Sequence, residues 1–196
     1  MRIVVGLGNP GRRYEGTRHN VGFMAAEEFL KRHGRGEIRF ERDALVSDAR
    51  WAGESVLVAR PQSFMNLSGP PIASLCRAYR AGVEDVVVAY DDADLPFGQI
   101  RVRPDGRPAG HRGIASLVEA LGTEEIARVR LGIGRPEGTK GALASHVLAT
   151  FEPEEHGSLR EMIGEAADAI EVLLRDGVRI AMNRYNRRRG GGPEAA

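Results

Sequence analysis

The sequence predicts an α/β fold: a single domain with a mixed, mostly parallel twisted sheet and helices on both faces. Three observations carry this reading. Residues 2–5, RIVV, form a β-branched run ending at Gly6, as a buried strand does before a tight turn. Residues 85–90, with VVVA at their heart, are apolar from Val86 on, the pattern of a strand covered on both sides. Segments 21–33 and 113–121, with apolar residues at helical spacing, separate such runs.

At 196 residues the chain is long enough for one substantial core. An apolar fraction of 42% beside 28% charged residues is that of an ordinary globular protein. Cys76 is the only cysteine, which excludes an internal disulfide and a thiolate metal cluster. The amino terminus enters a strand-like segment without a charged and then apolar leader, and no apolar run approaches the ~18 residues of a membrane span. A cytoplasmic protein without membrane association is expected. Net charge is only +1, yet the basic side is almost all arginine, with lysine at Lys31 and Lys140 alone. Genomic base composition produces such a bias without selection, and guanidinium forks that hold phosphates produce it by function; placement separates the two.

In chain order, GLGNPG behind the first strand formally matches the G-x-G-x-x-G dinucleotide fingerprint. Its context argues against a cofactor. Gly11 leads into RRYEGTRHN, which has no apolar face, and Glu27 and Glu28 fall inside the next helix instead of ending a second strand. That helix is expected over 21–33, with Phe23, Met24, Phe29 and Leu30 on one stripe and Asn20 as its N-cap. Strands are expected at 38–40, 45–51 and 56–59, with Pro61 ending the run. QSFMNLSGPP is a polar loop whose Pro70 and Pro71 pre-set a helix to about Tyr79. The buried strand 85–90 ends in DDADLPFG, which puts charged residues where α/β sheets place their sites. Residues 99–103 alternate as a strand, 104–110 form a loop, and Ile114, Leu117, Val118 and Leu121 face inward from the helix 113–121. RVRLGIG is a further strand at 127–133, followed by a turn at 135–140. Helical segments from 153 to 171 and on to 176 close a domain spanning 1–186, and RRRGGGPEAA at 187–196 is expected to be a disordered tail.

Of five histidines, His33 and His156 sit among charged neighbours and are expected to be solvated. His19 lies in a polar loop between Gly16 and a helix start, where a surface or capping imidazole and a functional one are equally consistent with the segment. Other loops offer matching groups: Asn9, Asn66, and Asp91 with Asp92 and Asp94. If these loops converge, a carboxylate on one imidazole nitrogen fixes the tautomer, and the other nitrogen takes a proton from water. Side-chain amides then hold a carbonyl and its oxyanion. Ser68 lacks a strand-to-helix elbow and Cys76 faces the core from a helix, so direct attack by water is the economical chemistry. No two histidines stand at i, i+4 and DDAD would need ligands from elsewhere, so neither metal nor cofactor is expected.

GLGNPG, YEGTRHNVG, FMNLSG, DDADLPFG, GHRG, RVRLGIGRP and HVLATF, taken in order, resemble the motif series of bacterial peptidyl-tRNA hydrolase from Arg2 to about Asn186. The resemblance implies a monomeric, metal-free enzyme that cleaves the ester joining a peptide to the 3′ ribose of prematurely released tRNA, recycling the tRNA. It implies tRNA as the partner and no obligate protein partner. By the same resemblance His19 is the catalytic base and Asp91 its stabilising partner. Asn9 helps discriminate an N-blocked aminoacyl group from a free one, and Asn66 is a catalytic and tRNA-contacting amide. Tyr14 and Phe64 contact substrate, and Arg103, with Arg128 or Arg130, grips the terminal phosphate. One departure stands out: where the family usually reads GGHNG this chain has AGHRG, with Ala109 for a Gly and Arg112 for an Asn. A guanidinium cannot accept a hydrogen bond, so Arg112 keeps only the donor side of that role, as a substrate-binding cation.

Two rival readings follow from the same residues. A non-catalytic RNA-binding homologue would retain tRNA without hydrolysing it, and a small-molecule esterase or amidase would act without regard to tRNA or ionic strength.

Overall fold

The computed structural model describes residues 1–136 and 140–186. Its strands are β1 (Arg2–Gly6), β2 (Arg39–Glu41), β3 (Ala44–Trp51), β4 (Glu54–Pro61), β5 (Val86–Asp92), β6 (Ile100–Arg103) and β7 (Ala127–Gly132). Its α-helices are α1 (Val21–His33), α2 (Gly69–Tyr79), α3 (Arg112–Leu121), α4 (Lys140–Val147), α5 (His156–Asp176) and α6 (Val178–Tyr185). The strands form one seven-stranded sheet in the order β2-β3-β4-β1-β5-β7-β6. Parallel pairs run through its centre, β4 with β1, β1 with β5 and β5 with β7. Antiparallel pairs flank them, β2 with β3 and β3 with β4 on one side and β6 with β7 on the other.

The near-continuous apolar runs explain the central positions. Val4, Val87, Ala89, Val129 and Leu131 turn to one face, where Val21, Ala25, Ala26 and Phe29 of α1 and the inner residues of α5 cover them. Ile3, Val5, Val86, Val88 and Tyr90 turn to the other, against Ile72, Leu75 and Cys76 of α2 and Ile114 and Leu117 of α3. Each such fully buried aliphatic side chain contributes roughly 1.5–3 kcal/mol. Since β1 leads to α1 on one face and neighbouring β4 leads to α2 on the other, the carboxyl ends of these strands open a crevice between diverging connections.

Several local expectations change. Asn20 does not cap α1: it sits at φ −100°, ψ 8°, continuing the tight turn Arg18–Asn20, and its amide serves the main chain of Asn9 instead. The strand expected over 85–90 runs on as β5 through Asp92, with Asp91 and Asp92 in register with Leu131 and Gly132. His33, expected to be solvated, is wedged between the rings of Phe29 and Trp51, with Nε2 2.8 Å from Glu171 Oε1. The closing helix is one 21-residue element to Asp176. After Gly177, at φ 84°, α6 turns back to β6, where Asn186 exchanges two 2.8 Å hydrogen bonds with the Val102 main chain. Helix α4 was not expected, because KGALASHV carries no apolar stripe. The tail 187–196 and residues 137–139 of the expected turn lie outside the described residues. Among the described residues no helix is long and apolar enough to cross a membrane.

The seat of α1 matters most for the crevice. Phe23 N–H donates to Leu7 O at 3.1 Å and Leu7 N–H donates to Ala89 O at 3.0 Å, so the first turn of α1 rests on the ends of β1 and β5. Gly22 makes this approach possible, since a Cβ there would clash with the carbonyl oxygens of Ala89 and Leu7. Gly22→Ala is expected to destabilise the fold by about 1–3 kcal/mol, as overpacking does. Urea denaturation of the two proteins measures the difference.

Candidate active site

At the carboxyl ends of β1, β4 and β5 lies a cavity of about 1070 Å³. His19 enters it from the turn Arg18–Asn20, and Asp91 from the end of β5. His19 Nδ1 lies 2.7 Å from Asp91 Oδ1, and Asp91 is only 3% exposed. A carboxylate accepts, so Nδ1 carries the proton and Nε2 keeps its lone pair. Among the described residues Nε2 has no hydrogen-bond partner, and the ring lines the cavity. This is the arrangement of a base able to take a proton from water.

A second imidazole, absent from the sequence-based site, completes the group. His111 Nε2 stands 2.9 Å from the same Asp91 Oδ1, and its Nδ1 accepts the Ile114 N–H at 3.2 Å as the N-cap of α3. That cap fixes the tautomer with the proton on Nε2, facing Asp91. Tyr90 packs edge-on against His111, with ring centroids 4.8 Å apart. Burial would push the Asp91 carboxyl up, but His111 and His19 together hold it well below the usual carboxylate range. The signal for His111 was its place in GHRG, at the start of a helix.

The ligand atoms of His19, Asp91 and His111 all lie within 4.8 Å of one another, a two-histidine, one-carboxylate set that the spacing of histidines along the chain did not disclose. Its hydrogen bonding opposes a metal. His111 Nε2 holds its proton because Nδ1 is taken by Ile114, and a cation would have to displace that proton and break the cap.

Asn9, 8% exposed, follows β1. Its Oδ1 accepts the Met65 N–H at 2.8 Å, so its NH2 group is the part left for the cavity. Asn20 locks the same residue from behind, accepting the Asn9 N–H at 2.8 Å and donating to the Asn9 carbonyl at 3.0 Å. Asn66 sits exposed on the short turn Met65–Leu67 and lines the cavity. Tyr14 and the exposed Phe64 meet edge to face at the rim, 6.4 Å between centroids. Leu143, Ala144 and Val147 of α4 supply a further wall.

The arginines divide by their partners. Arg128 and Arg130 are two apart on β7, in register with Arg103 and Arg101 of β6, so all four rise from one face of the sheet. Arg128 is 2% exposed, and its guanidinium donates to the carbonyls of Ile126, Arg107 and Glu124. Arg128, expected to grip a phosphate, is thus also a staple that joins the segments on either side of α3 at the edge of the cavity. Arg130 is paired with Asp92. Arg103 is exposed, lines the cavity and makes no hydrogen bond or ion pair among the described residues.

The profile of the family described as Peptidyl-tRNA hydrolase matches residues 3–191. The chain belongs to the peptidyl-tRNA hydrolase family. A peptidyl-tRNA hydrolase of Chloroflexus aurantiacus is 43% identical over 187 residues, covering 95% of this chain and 99% of that one. Another, of a Thermoanaerobacter species, is 42% identical over 186 residues, covering 95% and 100%. The crystal structure of the Acinetobacter baumannii peptidyl-tRNA hydrolase superposes with a TM-score of 0.88 at 30% identity, covering 95% of this chain and 94% of that one. The chain is accordingly a hydrolase of peptidyl-tRNA, acting on the ester bond.

The AGHRG segment departs from the GGHNG that the resemblance implies in a way the backbone registers. Ala109 adopts φ 50°, a left-handed conformation that suits the glycine usual there. Arg112 opens α3, is exposed and lines the cavity without a hydrogen bond or ion pair among the described residues. A cation in the first turn of a helix opposes the helix dipole, so the fold gains nothing from its charge.

Two outcomes are expected. Ala109→Gly relieves the strain and raises stability by about 0.5–1 kcal/mol in denaturant titration. Asp91 has a folded-state pKa depressed below its unfolded value, so its contribution is present above the ordinary carboxylate range and lost as pH falls through the folded value. Wild type should therefore lose stability more steeply than Asp91→Asn below about pH 4, read by urea unfolding at stepped pH.

Proposed function

We propose that His19 is the general base of peptidyl-tRNA hydrolysis, with Asp91 orienting it and Asn9 binding the scissile carbonyl. The observation that carries this reading is the 2.7 Å contact from His19 Nδ1 to a buried carboxylate, which leaves Nε2 facing the cavity. Nε2 takes a proton from water as the water oxygen bonds to the ester carbonyl carbon. The Asn9 NH2 group donates to the carbonyl oxygen as negative charge develops there. Collapse of the tetrahedral intermediate breaks the bond to the 3′ oxygen of the ribose, and the proton on His19 passes to that oxygen. Asp91 stabilises the intervening imidazolium, and His111 keeps Asp91 ionised.

On the RNA side, Arg103, Arg107 and Arg112 are the cavity cations whose side chains make no hydrogen bond or ion pair among the described residues, Arg130 reaches phosphate by exchange with Asp92, and the buried Arg128 adds its charge. Asn66, Tyr14 and Phe64 border the end of the cavity nearest Asn9 and hold the terminal nucleotide and the first residue of the peptide. Base, orienting carboxylate and amides all come from one chain, so the reaction needs no metal and no second subunit. The chain is read as a monomer of the cytoplasm, where peptidyl-tRNA arises.

Release of an N-acetylated amino acid from tRNA tests the assignment. His19→Ala is expected to lower kcat by roughly 10²–10⁴ while tRNA is still bound, and near-normal turnover would remove His19 from the mechanism. Arg103→Ala is expected to reduce the slope of log KM against log salt by about one unit at unchanged kcat. A binding protein would retard tRNA with no multiple turnover, and a small-molecule esterase would show no salt dependence.

A further inference from the structure

The residue before the base is a buried cation that the mechanism does not use. Arg18 is 6% exposed. Its guanidinium forks onto both carboxylate oxygens of Glu155, at 3.1 and 2.7 Å, and lies over the ring of Phe151 at 4.5 Å. Its main-chain N–H donates to Ala149 O at 2.9 Å, and Thr17 bridges to Thr150. Arg18 is thus tied through main chain and side chain to segment 149–155, which directly follows α4. That segment is itself anchored: Phe151 packs on Phe97 at 5.5 Å, and the Glu152 N–H donates to Glu155 at 2.8 Å. His146 of α4 holds the Ile133 carbonyl at 3.1 Å, just past β7. One nitrogen, Arg18 Nε, is buried with no partner among the described residues, so the site spends a buried donor in order to aim the other two nitrogens at Glu155.

We propose that Arg18 is a positioning residue for the hydrolysis: its fork onto Glu155 fixes the turn Arg18–Asn20 so that His19 Nδ1 meets Asp91. Three consecutive residues share this turn. Arg18 faces the segment after α4, His19 faces Asp91 and Asn20 holds the main chain of Asn9, so loosening the first displaces the base and the amide together. The Glu155 carboxyl is held below its usual range chiefly by the hydrogen bond from Arg18, in keeping with a pair that stays ionised. A lysine keeps the charge but cannot fork onto both oxygens, so shape as well as charge is required.

The inference rests on the reading of His19 as the base, and its test separates the two. Histidine-labelled protein is examined by NMR for the low-field Nδ1 proton of His19 in its bond to Asp91, beside steady-state hydrolysis of N-acetyl-aminoacyl-tRNA. In Arg18→Met, Arg18→Lys and Glu155→Gln this proton is expected to exchange faster with solvent, and kcat to fall roughly 10–100-fold with KM little changed. Glu155→Gln keeps the test open if the Arg18 variants fail to fold. An unchanged proton signal in a folded variant overturns the proposal, whatever the activity. A lost signal with wild-type turnover upholds Arg18 as the positioner and removes His19 as the base.

Discussion

The site depends on a carboxylate that remains an anion in the interior. Asp91 lies at the carboxyl end of β5 with 3% of its surface exposed, a position that would ordinarily favour the neutral acid. It stays charged because two imidazole N–H groups converge on one of its oxygens, from the turn before α1 and from the start of α3. These elements lie on opposite faces of the sheet, so the hydrogen bonds also join the two layers at the strand ends.

Much of this was legible in the sequence where side-chain chemistry and chain periodicity agreed. The apolar runs located the central strands, and the 21–33 periodicity located α1 to the residue. His19, Asp91, Asn9 and Asn66, read from separate loops, do line one cavity. What escaped depends on long-range partners. His111 carries no such mark in the sequence: it caps α3, and its second bond reaches back 20 residues to Asp91. Asn20 shows the converse, since an Asn before an apolar helix has the sequence of a cap whatever its side chain does. Helix α4 has no stripe to detect, because its neighbours in space and not its own pattern hold it.

The arginine bias resolves into several distinct uses. Arg128 is a structural staple, Arg130 and Arg135 are paired with Asp92 and Asp94, and Arg32 joins α1 to α5 through Asp168 and Glu171. Guanidinium serves each case because it offers several donors in one plane, whereas an ammonium group would satisfy one carbonyl or carboxylate at a time. Among the cavity residues the side chains of Arg103, Arg107 and Arg112 have no hydrogen bond or ion pair among the described residues and keep their donors for something else. Composition alone could not separate these uses, since each arginine reads identically until its partners are known.

The lock on Asn9 has a consequence for selectivity. A free side-chain amide is ambidextrous, able to swing either its oxygen or its nitrogen toward a visitor. Here the Met65 N–H has claimed the oxygen, and the main chain on either side is held by Asn20. At that point Asn9 turns its NH2 hydrogens to the cavity and keeps its oxygen on the Met65 N–H. In the role proposed for Asn9 a carbonyl is accommodated, while an ammonium group would bring three more hydrogens to a place already occupied by donors.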